Sequence, residues 1–297
     1  KSDRALLLAG EHDGSPWMHL WPPGPDALWT GTVSHEIAIA RLKAFTFPTP
    51  AHLSHLRLGR VNQPDFFGWY HDGVLRLRAR TIPTNVILST RSYVPSEAAL
   101  AALDMPPTLT TRHMAQVPEG HERVAQLARE WAGNTPRGWD QVQRVIAQLR
   151  QHAEHDRETV VPPGEARSVE WFLFESRRGP DYLFASAGAL LLRSLGYPVR
   201  VVSGFYVRPD RYDPTRGQTP VEKDDAHFWI EVNHAGPNTW FLVEPTPGYT
   251  LLPPPRTWGE WLSAWRALLV PVGTLALLTG VGWLCRRPLL DAWAVWT

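Results

Sequence analysis

The stretch from Leu183 to Leu195 is almost wholly apolar, and it limits what the rest of the chain can do. A helix that is greasy on most faces must be covered on most faces, so other elements have to wrap it. Gly179-Pro180 breaks the chain just before it, and Asp181 falls at a helix N-cap or first-turn position. Gly196 suits the left-handed position after a helix, and Pro198 prevents the helix from continuing. Val199, Val201 and Val202 then favour a strand. Read locally, residues 177–204 are a turn, a buried helix, a tight turn and a buried strand.

The flanking sequence supplies the cover. Glu122 to Trp131 puts Val124, Leu127, Ala128 and Trp131 on one stripe, and Gly133-Asn134-Thr135-Pro136 ends that helix. A second helix is expected from about Trp139 to His152, with Val142, Val145, Ile146 and Leu149 on one face. His152 and His155 sit near its end, where the helix dipole favours histidine, and a ligand role is not assigned to them. Downstream, 225–232 reads as a strand with His227 near its start. Residues 240–243 form a short strand that runs into Glu244. The polar loop 208–224 between the strands is long for a hairpin.

Residues 1–110 are β-rich. Alternation marks 74–80 and part of 33–42, 86–90 is a further strand candidate, and Pro48, Pro50, Pro64 and Pro83 punctuate them, which predicts a small antiparallel sheet or sandwich. Arg76, Arg78 and Arg80 share one strand face, read as solvated. His35-Glu36 opens a zinc-protease pattern, but Ile39 stands where the second histidine would be, so that reading is rejected.

Three motifs together resemble the bacterial membrane-anchored transglutaminase-like proteins of the papain-like superfamily. They are Arg177-Arg178-Gly179-Pro180-Asp181-Tyr182-Leu183-Phe184-Ala185, His227-Phe228-Trp229-Ile230-Glu231-Val232 and Glu244-Pro245-Thr246-Pro247-Gly248. The resemblance implies an α+β fold with a transglutaminase-like domain, here at 111–256, and agrees with the β-rich N-terminal domain read at 1–110. A single C-terminal transmembrane helix with a short cytoplasmic tail is expected at 257–297 on the separate ground of its apolar run. The resemblance also implies that loop 208–224 lies near the mouth of the site. It places Asp181 where the family has its nucleophilic cysteine, with His227 and Glu244 at the other two triad positions.

That places the chemistry in question. The chain has one cysteine, Cys285, far from these motifs. A carboxylate beside His227 is expected to hold the imidazole cationic and make it a poor base. The expectation is therefore a vestigial triad at Asp181, His227 and Glu244 with no active catalytic residue, no cofactor and no metal. Such a domain would act as a structural or protein-binding subunit of a membrane complex. Two alternatives stand beside it: an amide hydrolase or acyl transferase using Asp181, His227 and Glu244, alone or with a metal, and a peptide- or cell-wall-binding module.

The membrane expectation rests on 267–285, which carries no charged residue and is long enough to cross a hydrocarbon core of roughly 30 Å. Trp258, Trp261, Trp265 and Trp283 flank it like interfacial belts, and Arg286-Arg287 follows. The positive-inside rule then puts the C-terminus in the cytoplasm and the folded domain outside it, in the periplasm of a bacterial cell with two membranes. A net charge of +1 argues against a nucleic-acid partner.

Overall fold

A computed structural model describes residues 7–12, 15–19, 28–44, 46–59, 67–69, 75–77, 82, 84–103, 105, 112–234 and 239–249. The expected boundary near 110 and the expected membrane segment at 267–285 lie outside these residues. Among the described residues no helix is long and apolar enough to cross a membrane.

The N-terminal part forms strands β1 (Leu7–His12), β2 (Ser15–His19), β3 (Trp29–Ile39), β4 (Leu53–Gly59), β5 (Phe67–Trp69), β6 (Leu75–Leu77) and β7 (Val86–Pro95). Five of them make an antiparallel sheet in the order β1-β2-β4-β7-β3, and β5 pairs with β6 separately. Alternation drives this: Val86 and Leu88 on β7 turn inward with Leu56 and Leu58 on β4, and Ile39, Phe47 and Ile82 close the cluster. His35, the rejected zinc ligand, instead bonds the Ser92 hydroxyl across the sheet at 3.1 Å.

Helices α1 (Glu97–Ala101), α2 (Glu122–Ala132) and α3 (Trp139–His152) follow, then β8 (Glu154–His155), α4 (Ser168–Trp171) and β9 (Arg178–Gly179). A π-helical turn, Phe172–Ser176, separates α4 from β9. The chain continues into α5 (Asp181–Ser194), β10 (Val199–Phe205), β11 (Ala226–Asn233) and β12 (Trp240–Val243). The last three form an antiparallel sheet in that order, and β8 pairs with β9 in parallel. Both helices expected upstream appear within a residue of their predicted ends. Val142, Val145, Ile146 and Leu149 of α3 are all buried, as the stripe requires.

Helix α5 is the centre. Leu183, Phe184, Ala185, Ala187, Leu191 and Leu192 are wholly buried, with α2 and α3 as cover and β10 and β11 beside it. Burying each such leucine or phenylalanine is worth about 1.5–3 kcal/mol. Gly188 marks a close contact: a Cβ there would meet Ile146, Ile230 and Pro245 at 3.3–3.4 Å. The helix thus closes on α3, β11 and the segment after β12 at one point, which fixes where its N-terminus lies relative to His227.

The other end of α5 is held by one side chain. Arg137 donates from Nε to the Met105 carbonyl at 2.6 Å, from Nη1 to Leu195 at 2.7 Å and from Nη2 to Gly196 at 2.9 Å. Its guanidinium also lies 4.1 Å from the centre of the Tyr197 ring. A cation at a helix C-terminus satisfies carbonyls the helix itself cannot. Arg137→Ala is expected to cost about 2–4 kcal/mol, because charge-assisted bonds go and carbonyls are stranded. Urea unfolding measures this, and a loss below about 0.5 kcal/mol, the range of ordinary surface changes, would rule out the clamp.

The two parts of the chain meet in an aromatic cluster. Trp29, His52 and Trp139 surround Phe241 of β12, with ring centroids 5.7–5.8 Å from it. The His52 ring Nε2 bonds the Trp240 carbonyl at 2.9 Å. Burial pushes the His52 pKa down against that bond, so the ring is neutral and Nε2 is the donor.

Candidate functional site

Asp181, His227 and Glu244 meet. The His227 ring sits between the two carboxylates, with Nδ1 2.8 Å from Asp181 Oδ2 and Nε2 2.7 Å from Glu244 Oε2. Three separate elements place them. Asp181 is the first residue of α5, His227 the second of β11, and Glu244 directly follows β12. The antiparallel register from β10 through β12 is unbroken at the described pairs, so it is the sheet that brings His227 and Glu244 to the same end.

Each carboxylate is pinned further. Asp181 Oδ1 accepts from the Tyr182 amide at 2.8 Å, and Oδ2 accepts from the Phe228 amide at 3.2 Å. Glu244 Oε1 accepts from the Thr246 amide at 2.8 Å. With the imidazole bonds these leave little freedom, and the His227 side chain is only 2% exposed.

The electrostatics follow. Burial works against the Asp181 carboxylate, but the hydrogen bond and charge of His227, with the two amides, hold it below its ordinary value. Burial also disfavours the His227 cation, yet its bonds to Asp181 and Glu244 and their charges overcome that and raise its pKa. The ring is therefore an imidazolium that donates from both nitrogens. Its unfolded-state value is near 6.5 and that of Asp181 near 3.8. A raised cation stabilises the fold below its unfolded value and loses that contribution as pH rises through the folded one. A lowered carboxylate stabilises above its unfolded value and loses it as pH falls through the folded one. Both contributions are complete between about pH 3.8 and 6.5. Wild-type stability relative to His227→Gln should be greatest in that window and fall on either side. Urea titrations across pH check this, and an advantage that stays flat up to pH 10 would mean that His227 carries no charge.

Aromatic rings complete the enclosure. Tyr249 stacks on His227 with centroids 3.8 Å apart and planes 14° apart, a suitable partner for a cation. Tyr206 packs edge-on against both rings. Arg157 anchors Tyr249, donating from Nη2 to its hydroxyl at 2.8 Å and from Nη1 to the Asp224 carbonyl at 2.8 Å. That second bond ties in loop 208–224, which is folded by two short 3₁₀ turns and by an Arg211–Asp225 ion pair at 2.9 Å.

Tyr249, Arg157 and Tyr206 were not legible as site residues. Tyr249 directly follows the Pro-Thr-Pro-Gly run, the one hint available, and Arg157 lies in what reads only as a loop. Of the two histidines near the end of α3, His152 bonds the Leu173 carbonyl at 2.6 Å, whereas His155 lies beside the triad with its ring 5.4 Å from Tyr249.

Asp181 and Glu244 approach opposite ring nitrogens and leave neither free. The three ligand-type groups therefore do not converge on one point. Among the described residues no group of three or more histidines, cysteines or acids is placed to hold a metal.

A nucleophile-sized group at a helix start, a strand histidine and a carboxylate after the next strand make the papain-like order. The family model described as the transglutaminase-like superfamily matches residues 125–245, which hold all three. Residues 125–245 are a transglutaminase-like domain. The protein-glutamine gamma-glutamyltransferase of Pseudomonas aeruginosa is 31% identical over 151 residues, which is 50% of this chain and 22% of that protein. The uncharacterised protein YebA of Bacillus subtilis is 32% identical over 148 residues, 48% of this chain and 20% of its own length. The match thus spans about a fifth of these curated relatives. The crystal structure of the periplasmic domain of TgpA from Pseudomonas aeruginosa aligns with a TM-score of 0.49 at 22% identity, covering 81% of this chain and 80% of that one.

Proposed function

We propose that this transglutaminase-like domain is not a catalyst. It serves as an extracytoplasmic, membrane-anchored subunit that binds or braces another membrane protein. In this reading Asp181 occupies the place of the nucleophilic cysteine. The observation that carries it is the closure of His227: both ring nitrogens face carboxylates and one ring face lies on Tyr249.

A general base needs a free nitrogen and a nucleophile whose proton it can take. An imidazolium between two carboxylates has neither. The sole cysteine, Cys285, belongs to the apolar run 267–285 and is remote in sequence from the triad. The same run, with Arg286-Arg287 after it, supports the anchor and the outward orientation of the domain.

The test is extraction in mild detergent followed by native mass measurement. A stoichiometric companion protein is the expected result. A lone monodisperse chain would count against the proposal. So would turnover of glutamine-amide substrates that disappears in His227→Ala.

A further inference from the structure

An open groove of about 650 Å³ is lined by Arg150, Glu154, His155, Arg177 and Gly248 among others. We infer that it is a binding site for a peptide carboxylate, an acidic side chain or C-terminus presented by the partner. This rests on the protein-binding reading above and names the chemistry of the contact.

The groove carries positive charge that the fold leaves unneutralised. Arg178, next to it, is paired with Asp156 at 3.1 Å and with Glu154 at 3.6 Å. Arg150 has no such partner among the described residues. Its Nη2 donates to the carbonyls of Thr246 at 3.3 Å and Tyr249 at 2.8 Å, and its Nε is buried with no hydrogen-bond partner. Arg177 is exposed, and among the described residues its guanidinium makes no hydrogen bond or ion pair.

The backbone of Arg177 adds a second argument. It sits at φ 49°, in the left-handed region, at the end of the π-helical turn. Glycine takes that position without strain, and a long cationic side chain does not. The cost is offset if the guanidinium is used there.

His155 supplies a further group. Its Nε2 is buried without a hydrogen-bond partner. Burial holds its pKa down, with Arg157 and His227 adding to the effect against Asp181 and Asp156. A neutral ring in the Nε2–H form offers one donor to a ligand oxygen. Two guanidinium charges and one carboxylate line the groove, an excess of a single positive charge. That excess matches a carboxylate monoanion better than a phosphate carrying close to two charges. Arginine forks suit a carboxylate's paired oxygens.

The experiment titrates the full chain in detergent with a capped acetyl-Ala-Glu-Ala-amide peptide and follows the arginine Nε–H and histidine ring resonances. Saturable shifts at His155 and Arg150 are expected, at least tenfold weaker for the Gln counterpart of the peptide. Arg177→Gln should weaken binding roughly tenfold, the loss of one charge-assisted contact. Its melting and its His227 resonance should stay as in the wild type. Equal responses to the Glu and Gln peptides would overturn the inference, as would an unaffected Arg177→Gln. Saturation of the same signals at lower concentration by inorganic phosphate or by phosphatidylglycerol vesicles would overturn the carboxylate assignment. The partner-binding reading fails by a different result, the lone chain in the extraction experiment, so the two failures are distinguishable.

Discussion

His227→Ala is expected to destabilise the domain by about 3–5 kcal/mol, the usual consequence of removing one member of a buried ionic group. The loss comes from what remains. Asp181 and Glu244 are each only 8% exposed, and without the ring they are left with amide donors alone. Their oxygens would then share a cavity with no cation, and Tyr249 would lose the surface it stacks on. Urea or thermal unfolding reads the effect directly. His227→Ala/Asp181→Ala should recover part of it, because the second change removes one stranded charge. The coupling between the two sites should fall within about 0.5–3 kcal/mol, as for residues in contact. A His227→Ala cost below about 1 kcal/mol would mean that the triad is not an ionic brace.

The second large effect concerns chemistry. Asp181→Cys is expected to create a reactive thiol. The position offers a helix N-terminus and a nitrogen, His227 Nδ1, at hydrogen-bond distance, and both lower a thiol pKa. Glu244 would then hold the ring by Nε2 alone, the usual arrangement of a papain-like triad. The Asp181 side chain is 12% exposed, which gives a reagent its route. Alkylation by iodoacetamide should be at least roughly tenfold faster than that of a free cysteine derivative in solution, the reference for an ordinary thiol. Hydrolysis of glutamine-amide substrates should rise about 10²–10⁴-fold over wild type, the range that positioned acid–base groups supply. Mass spectrometry of the acylated protein and ammonia release give the two readouts. An inert thiol would show that Asp181 does not stand at a nucleophile's position. A wild type as active as the variant would overturn the non-catalytic reading.

Asp181 also shows how a site can be readable while its state is not. The order of helix start, strand histidine and strand-end acid is visible in the chain, as is the absence of a thiol near them. The expectation that a carboxylate would make His227 a cation agrees with the direction of its shift. Local sequence could not supply the closure of the second nitrogen by Glu244 at 2.7 Å. Nor could it supply the ring of Tyr249 at 3.8 Å, because a stacking partner carries no periodicity.

The sequence by itself determined the elements whose signal is local. Apolar stripes set α2 and α3, an apolar run between a breaker pair and Gly196 set α5, and clustered valines and aromatics set β10 and β11. These patterns repeat over several residues and carry their own punctuation. Tertiary structure alone decided what depends on contacts between distant segments. Arg137 reaches from the start of α3 to the end of α5, and Arg157 joins loop 208–224 to Tyr249. Phe241 of β12 packs among Trp29, His52 and Trp139 from remote parts of the chain. Single polar or aromatic side chains leave no pattern in sequence. Their partners are fixed only when burial forces every donor, acceptor and ring to find one.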